Sequence, residues 1–119
     1  LLPIIKLLKN RFPKLILSVD TYWAKVAEQC VQAGADIIND ISAGELDEKM
    51  MDTIAKLQIP YIIMHMQGPP SDMQENPTYM NVTAEIISYF QQKIKQIKSN
   101  VIHYIIIDPG FDFVKLFFE

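Results

Sequence analysis

Four short runs of apolar, largely β-branched residues punctuate the chain: KLILSVD (14–20), ADIIND (35–40), PYIIMHM (60–66) and HYIIIDPG (103–110). Each is continuously apolar rather than alternating, the pattern of strands covered on both faces, as in a parallel sheet. The intervening segments carry helical periodicity. LPIIKLLKNRF opens with Pro3 in its first turn, where a missing N–H costs nothing. YWAKVAEQCVQAG gathers Trp23, Val26, Ala27, Cys30 and Val31 on one face and stops at Gly34. LDEKMMDTIAKLQ forms a third helix, and a fourth is expected from about Val82 to Lys98. Its Ile86, Ile87, Phe90, Ile94 and Ile97 recur at three-to-four spacing, with Tyr89, Gln91, Gln92, Lys93, Lys95 and Gln96 on the wetter side. The order α–β–α–β–α–β–loop–α–β predicts an α/β fold of parallel strands joined by right-handed crossovers. The one long irregular stretch, QGPPSDMQENPTYM (67–80), has the length of a functional loop.

A polar group closes each apolar run: Asp20, then Asn39 and Asp40, then His65, then Asp108. In isolation SVDTY reads as a helix start, with Asp20 or Thr21 as N-cap. Repetition on all four runs favours a shared pocket, because the carboxyl ends of parallel strands lie on one side, where α/β folds bind ligands. The set is rich in acceptors and lacks arginine, which suits a ligand with several N–H donors. A flat heterocycle with an amino group beside a ring N–H fits, since one carboxylate accepts two parallel hydrogen bonds from such an edge. A metal site is the competitor, but only one histidine falls on that side and the carboxylates show no ligand spacing. His103 opens a strand at the opposite end and reads as structural.

Composition narrows the picture without changing it. The 119 residues fit one domain, half of them apolar, with mean hydropathy +0.10 and a pI near 5.3. A net charge of −3 offers no electrostatic case for nucleic acid or an anionic membrane. Cys30, the single cysteine, cannot form an internal disulfide and reads as a small buried apolar residue rather than a nucleophile. A reducing, cytoplasmic setting is expected. No run is long enough to span a bilayer, no signal peptide is evident, and NVT (81–83) matches a glycosylation pattern that a cytosolic chain never presents.

The segments SVDTY, IINDISAG, MHMQGPPSDMQENPTY and IIIDPGF, in this order and spacing, resemble dihydropteroate synthase, from the first helix to about Phe113. The MHMQG…MQ.NP.Y stretch is the most specific part. The resemblance implies a partial (βα)8 TIM barrel, four parallel strands alternating with helices, corresponding to strands three to six of the family's barrel. It implies condensation of 6-hydroxymethyl-7,8-dihydropterin diphosphate with p-aminobenzoate to dihydropteroate, in folate biosynthesis. Asp20, Asn39, Ile41, Met64 and Asp108 would line the pterin pocket. Asp108 would hold the amino/ring-NH edge, Asn39 another edge, and Ile41 and Met64 would pack on the ring. The family is thought to lose diphosphate first, and Asp20 would stabilise the resulting cation as the catalytic carboxylate. Phe113 and Lys115 fall on the p-aminobenzoate side.

The family's Mg²⁺ is expected in the complete enzyme, but the asparagine that helps bind it lies on a strand this chain lacks, so no metal ligand is assigned here. The tail departs as well: DPGFDFVKLFFE stands where the family continues DPGFGFGK, which makes 114–119 atypical within a single incomplete domain, 1–119. These features imply a fragment inactive by itself, because positioning both substrates needs groups that are absent. Two other readings are a pterin-binding methyltransferase domain, which shares the Asp/Asn/Asp pattern but generally lacks the 67–80 loop, and a non-catalytic barrel half. Open barrel edges predict homo-oligomers or aggregation.

Overall fold

A computed structural model describes residues 1–66 and 81–110, apart from the side chain of Val82. Its elements follow the expected order: α1 (Leu2–Arg11), β1 (Ser18–Asp20), α2 (Ala24–Ala33), β2 (Ile37–Asp40), α3 (Met50–Leu57), β3 (Tyr61–Met64), α4 (Val82–Ser99) and β4 (Ile105–Asp108). The strands form one parallel sheet in the order β1-β2-β3-β4. Sequential order has a direct consequence. With no reversal of strand order there is no switch point, so successive crossovers of one hand place their helices on one face of the sheet.

The register shows which face is which. Cα partners Ser18–Ile37, Asp20–Asn39, Asn39–Ile62, Ile62–Ile106 and Met64–Asp108 align one set of side chains; Val19–Ile38, Ile38–Tyr61, Asp40–Ile63 and Tyr61–Ile105 align the other. The second set meets the helices. Val19, Ile38, Tyr61 and Ile63 share a core with Ala27 and Cys30 of α2, Met50 and Ile54 of α3, and Phe90 and Ile97 of α4. Full burial of one such isoleucine contributes about 2 kcal/mol. The first set is only partly covered: Ser18, Asp20 and Ile106 are exposed, Ile37, Asn39, Ile62 and Asp108 half-buried, and Met64 alone is buried. Sequence pattern predicted strands covered on both faces; the described residues cover one.

Local chemistry explains the boundaries. Gly34 ends α2 in the left-handed region at φ 117°, its N–H returning to Cys30 and Val31, so the expected stop holds. The first apolar run is strand only from Ser18, and Leu15 and Ile16 before it are exposed. Asp20 is not the cap of α2. Thr21 Oγ1 accepts from the Trp23 N–H (3.1 Å), and the remote Asp47 accepts from Ala24 N–H (2.8 Å) and Lys49 N–H (3.0 Å), tying the start of α2 to the approach to α3. In α4, Ile87 is exposed where the pattern placed it inward, and Lys93 is 5% exposed where the pattern placed it outward. Residues 86, 90, 93 and 97 form the continuous helical stripe, and Glu45 neutralises the buried ammonium, which also lies 5.8 Å from the Tyr89 ring centroid. Cys30 is fully buried, and burial raises its thiol pKa, as expected of a packing residue. Among the described residues no helix is long and apolar enough to cross a membrane.

Asp36 joins α1 to the sheet by accepting from Lys9 Nζ (2.6 Å) and from Leu17 N–H (2.8 Å). Burial works to raise its pKa, but Lys9 and the Leu17 N–H prevail and hold it below the usual carboxylate range. Its folded pKa thus lies below the unfolded value of about 3.9. Its stabilisation is present above that value and is lost as pH falls through the folded pKa. Urea denaturation across pH 2–5 should show Asp36→Asn less stable than wild type near pH 5, with the difference shrinking toward the acid end; a pH-independent difference would contradict this.

Candidate functional site

The exposed face of the sheet brings the expected polar residues together. Asp20 and Asn39 are Cα partners at the carboxyl ends of β1 and β2, and Asn39 Nδ2 donates to Asp20 Oδ1 at 2.7 Å. This bond fixes the amide's orientation. Nδ2 points at Asp20, so the other amide atom, Oδ1, faces away from it; that oxygen is buried and has no hydrogen-bond partner among the described residues. A buried acceptor without a donor costs about 1–3 kcal/mol, and a ligand N–H would remove that cost.

Farther along the same face, on β3 and β4, lie Met64 and Asp108, again Cα partners. Asp108 is half-buried, and its Oδ1 accepts from the Gly110 N–H at 2.8 Å, an Asx turn that closes β4. The turn requires glycine: Gly110 sits at φ 66°, and a Cβ there would lie 2.9 Å from Met64 Cγ. Met64 is thereby buried against the turn that carries Asp108. Ile41 follows β2 directly and is half-buried. The structure thus sets Asp20, Asn39, Met64 and Asp108 on one face, near one end of the strands. Phe113 and Lys115 lie outside the described residues, as does the 67–80 loop.

Two polar strand ends do not join this rim. Asp40, one residue beyond Asn39, turns to the covered face and is fully buried. Its Oδ1 accepts from the Ser42 N–H (2.8 Å) and hydroxyl (2.7 Å), and its Oδ2 from the Gly44 N–H (2.9 Å) and the Tyr61 hydroxyl (2.6 Å). Burial, and then the Asp40 charge, push the Tyr61 phenol far above its ordinary pKa, so it stays a donor. His65 packs edge-on to Tyr89 of α4 (centroids 4.8 Å apart), and burial lowers its pKa, with Glu85 opposing. The same setting, with Glu45 and Asp40 near, pushes Tyr89 up to about 12. Convergence by strand end therefore counted two residues too many. Strand alternation, an Asn-Asp pair necessarily facing opposite ways, was the available signal.

A metal does not fit the described residues. Among those described, no three His, Cys, Asp or Glu side chains come together to hold an ion, and one oxygen of Asp20 already accepts from the Asn39 amide.

A one-sided arc of parallel βα units, with an acceptor rim at the carboxyl ends, is the architecture of part of an eight-stranded βα barrel. A family model described as "pterin binding enzyme" matches residues 1–118, and the chain belongs to that family. It is 40% identical, over 117 residues, to the folic acid synthesis protein fol1 of Schizosaccharomyces pombe, covering 96% of this chain and 16% of that protein. Among solved structures it matches the Yersinia pestis dihydropteroate synthase with a sulfonamide drug complex (TM-score 0.90, 36% identity, 98% of this chain and 42% of that one). It also matches the Xanthomonas albilineans dihydropteroate synthase in complex with 7,8-dihydropteroate (TM-score 0.84, 34% identity, 98% and 41%). The chain thus spans well under half the length of these relatives.

Gly110→Ala should lower stability by about 1–2 kcal/mol, the cost of a left-handed non-glycine residue, together with the close approach to Met64. The urea midpoint would report it. A midpoint equal to wild type would mean that the Asp108 turn is not held as described.

Proposed function

We propose that this chain is the pterin-gripping arc of a dihydropteroate synthase, an enzyme that joins 6-hydroxymethyl-7,8-dihydropterin diphosphate to p-aminobenzoate in folate synthesis. The observation that carries the reading is the Asn39–Asp20 bond, which leaves one buried amide oxygen as an open acceptor on the face that also bears Asp108. Asp108 engages only Oδ1 among the described residues, so Oδ2 is available to the donor edge of a pterin. Asn39 Oδ1 takes a further ring N–H, while Met64 and Ile41 border the ring. Asp20, the most open of the set, serves as the catalytic carboxylate, stabilising positive charge on the exocyclic carbon as diphosphate leaves. Phe113 and Lys115 belong to the p-aminobenzoate side. The dihydropteroate complex of the Xanthomonas albilineans enzyme supports this substrate class.

Condensation requires the rest of the barrel, so the reading assigns binding, not turnover, to these 119 residues. A cytosolic setting accords with one buried, unpaired cysteine. Exposed apolar residues lie on α1 (Ile4, Leu7), before β1 (Ile16) and on β4 (Ile106, Ile107). Among the described residues, β1 and β4 each pair along one edge only. Such edges favour association of the isolated chain with a second copy, and a monodisperse monomer in sedimentation velocity would exclude it.

Calorimetric titration of free pterin into wild type and Asp108→Ala tests the assignment. The substitution should weaken binding by about tenfold or more, the loss of a charge-assisted bond. Pterin binding indifferent to Asp108 would remove the reading.

A further inference from the structure

Asn39 and Asp40 are consecutive residues of β2 with opposite side chains. Asn39 looks to the open face and Asp40 to the core. Whatever fixes the backbone at Asp40 therefore fixes the frame from which the Asn39 amide is aimed. Asp40 is fixed from two directions. From β3, the Tyr61 hydroxyl donates to Oδ2 across the covered face of the sheet. From the chain that follows, the Ser42 and Gly44 N–H groups and the Ser42 hydroxyl fold back onto the carboxylate. That fold-back holds Ala43 at φ 50° and Gly44 at φ 82°, left-handed geometry in which the carboxylate replaces the missing backbone partners. The loop is tied a second time at Glu45, which pairs with the buried Lys93 of α4.

We propose that Asp40 is a positioning residue of the pterin site, holding the end of β2 so that Asn39 meets Asp20 and presents its open carbonyl oxygen to the ligand. The proposal rests on the pterin reading above, but it concerns a residue that touches no ligand. A carboxylate suits the task where an amide would not. All four of its bonds come from donors, and an asparagine would set its NH2 against the Tyr61 hydroxyl and the Gly44 N–H or against Ser42. Rigidity matters because the Asn39 amide must keep its orientation before the ligand arrives; an amide free to rotate would donate where it should accept.

The test compares Asp40→Asn and Tyr61→Phe with Ile54→Val, a core substitution on α3 outside the Asp40 hydrogen-bond network that sets the scale for a purely structural loss. Each is studied in the full 119-residue chain at a temperature where circular dichroism shows it folded. Pterin affinity is measured by calorimetry, and the side-chain amide pair of Asn39 by ¹⁵N–¹H NMR without ligand. Asp40→Asn and Tyr61→Phe should weaken pterin binding by about tenfold or more and shift the Asn39 amide pair, with faster hydrogen exchange. Ile54→Val should do neither. Affinities equal to that control overturn the proposal, as does an Asn39 amide pair left where wild type has it. Should Asp40→Asn not fold, Tyr61→Phe decides by the same criteria, because it leaves the carboxylate with its three loop donors. If wild type binds no pterin, the functional reading falls; the amide pair then decides alone, its movement in Tyr61→Phe supporting the Asp40–Asn39 coupling and its constancy refuting it.

Discussion

Neighbouring side chains on a strand point to opposite faces, and at the end of β2 this constraint separates two chemistries. Asp40 enters the core, where a carboxylate is tolerable only with every lone pair engaged; four donors meet it. Asn39, one residue earlier, faces the open side and keeps an acceptor in reserve. The acid that closes β2 is spent on architecture, whereas the acids that close β1 and β4 stay on the open face; the proposed site depends on that division.

The sheet's topology enlarges the same division to the whole molecule. Strands in simple sequence order put the helices on one side, so apolar side chains of the covered face are sealed by α2, α3 and α4. The other face is open in these four βα units and carries Asp20, Asn39, Met64 and Asp108. An eight-stranded βα barrel turns that face inward and closes it with four more units. On the reading proposed above, the face offered to a pterin is then also the face that barrel closure buries.

Buried polar groups on the covered side stabilise the rim from beneath. Lys93, paired with Glu45 and beside the Tyr89 ring, joins α4 to the loop after β2. His65, lodged against Tyr89 and Phe90, anchors the end of β3. Low local dielectric makes such contacts strong when complete and costly when broken. These contacts tie α4 to the loop after β2 and to the end of β3, on the face opposite the rim.

The sequence by itself determined the element order, the parallel sheet, the Gly34 stop and the acceptor-rich character of the strand ends, because periodicity, helix stops and residue chemistry are local properties. The pterin-binding family was legible too, since motif order and spacing survive in one dimension. Only the tertiary structure decided which polar ends serve a site. Asp40 and His65 left the rim because alternation and helix packing turned them inward, and Asp47, distant in sequence, took up the first N–H of the helix that SVDTY in isolation suggested Asp20 or Thr21 would cap. Lys93 and Ile87 exchanged sides because a remote glutamate made a buried ammonium tolerable. Such outcomes rest on partners brought together from separate parts of the chain, which no local pattern contains.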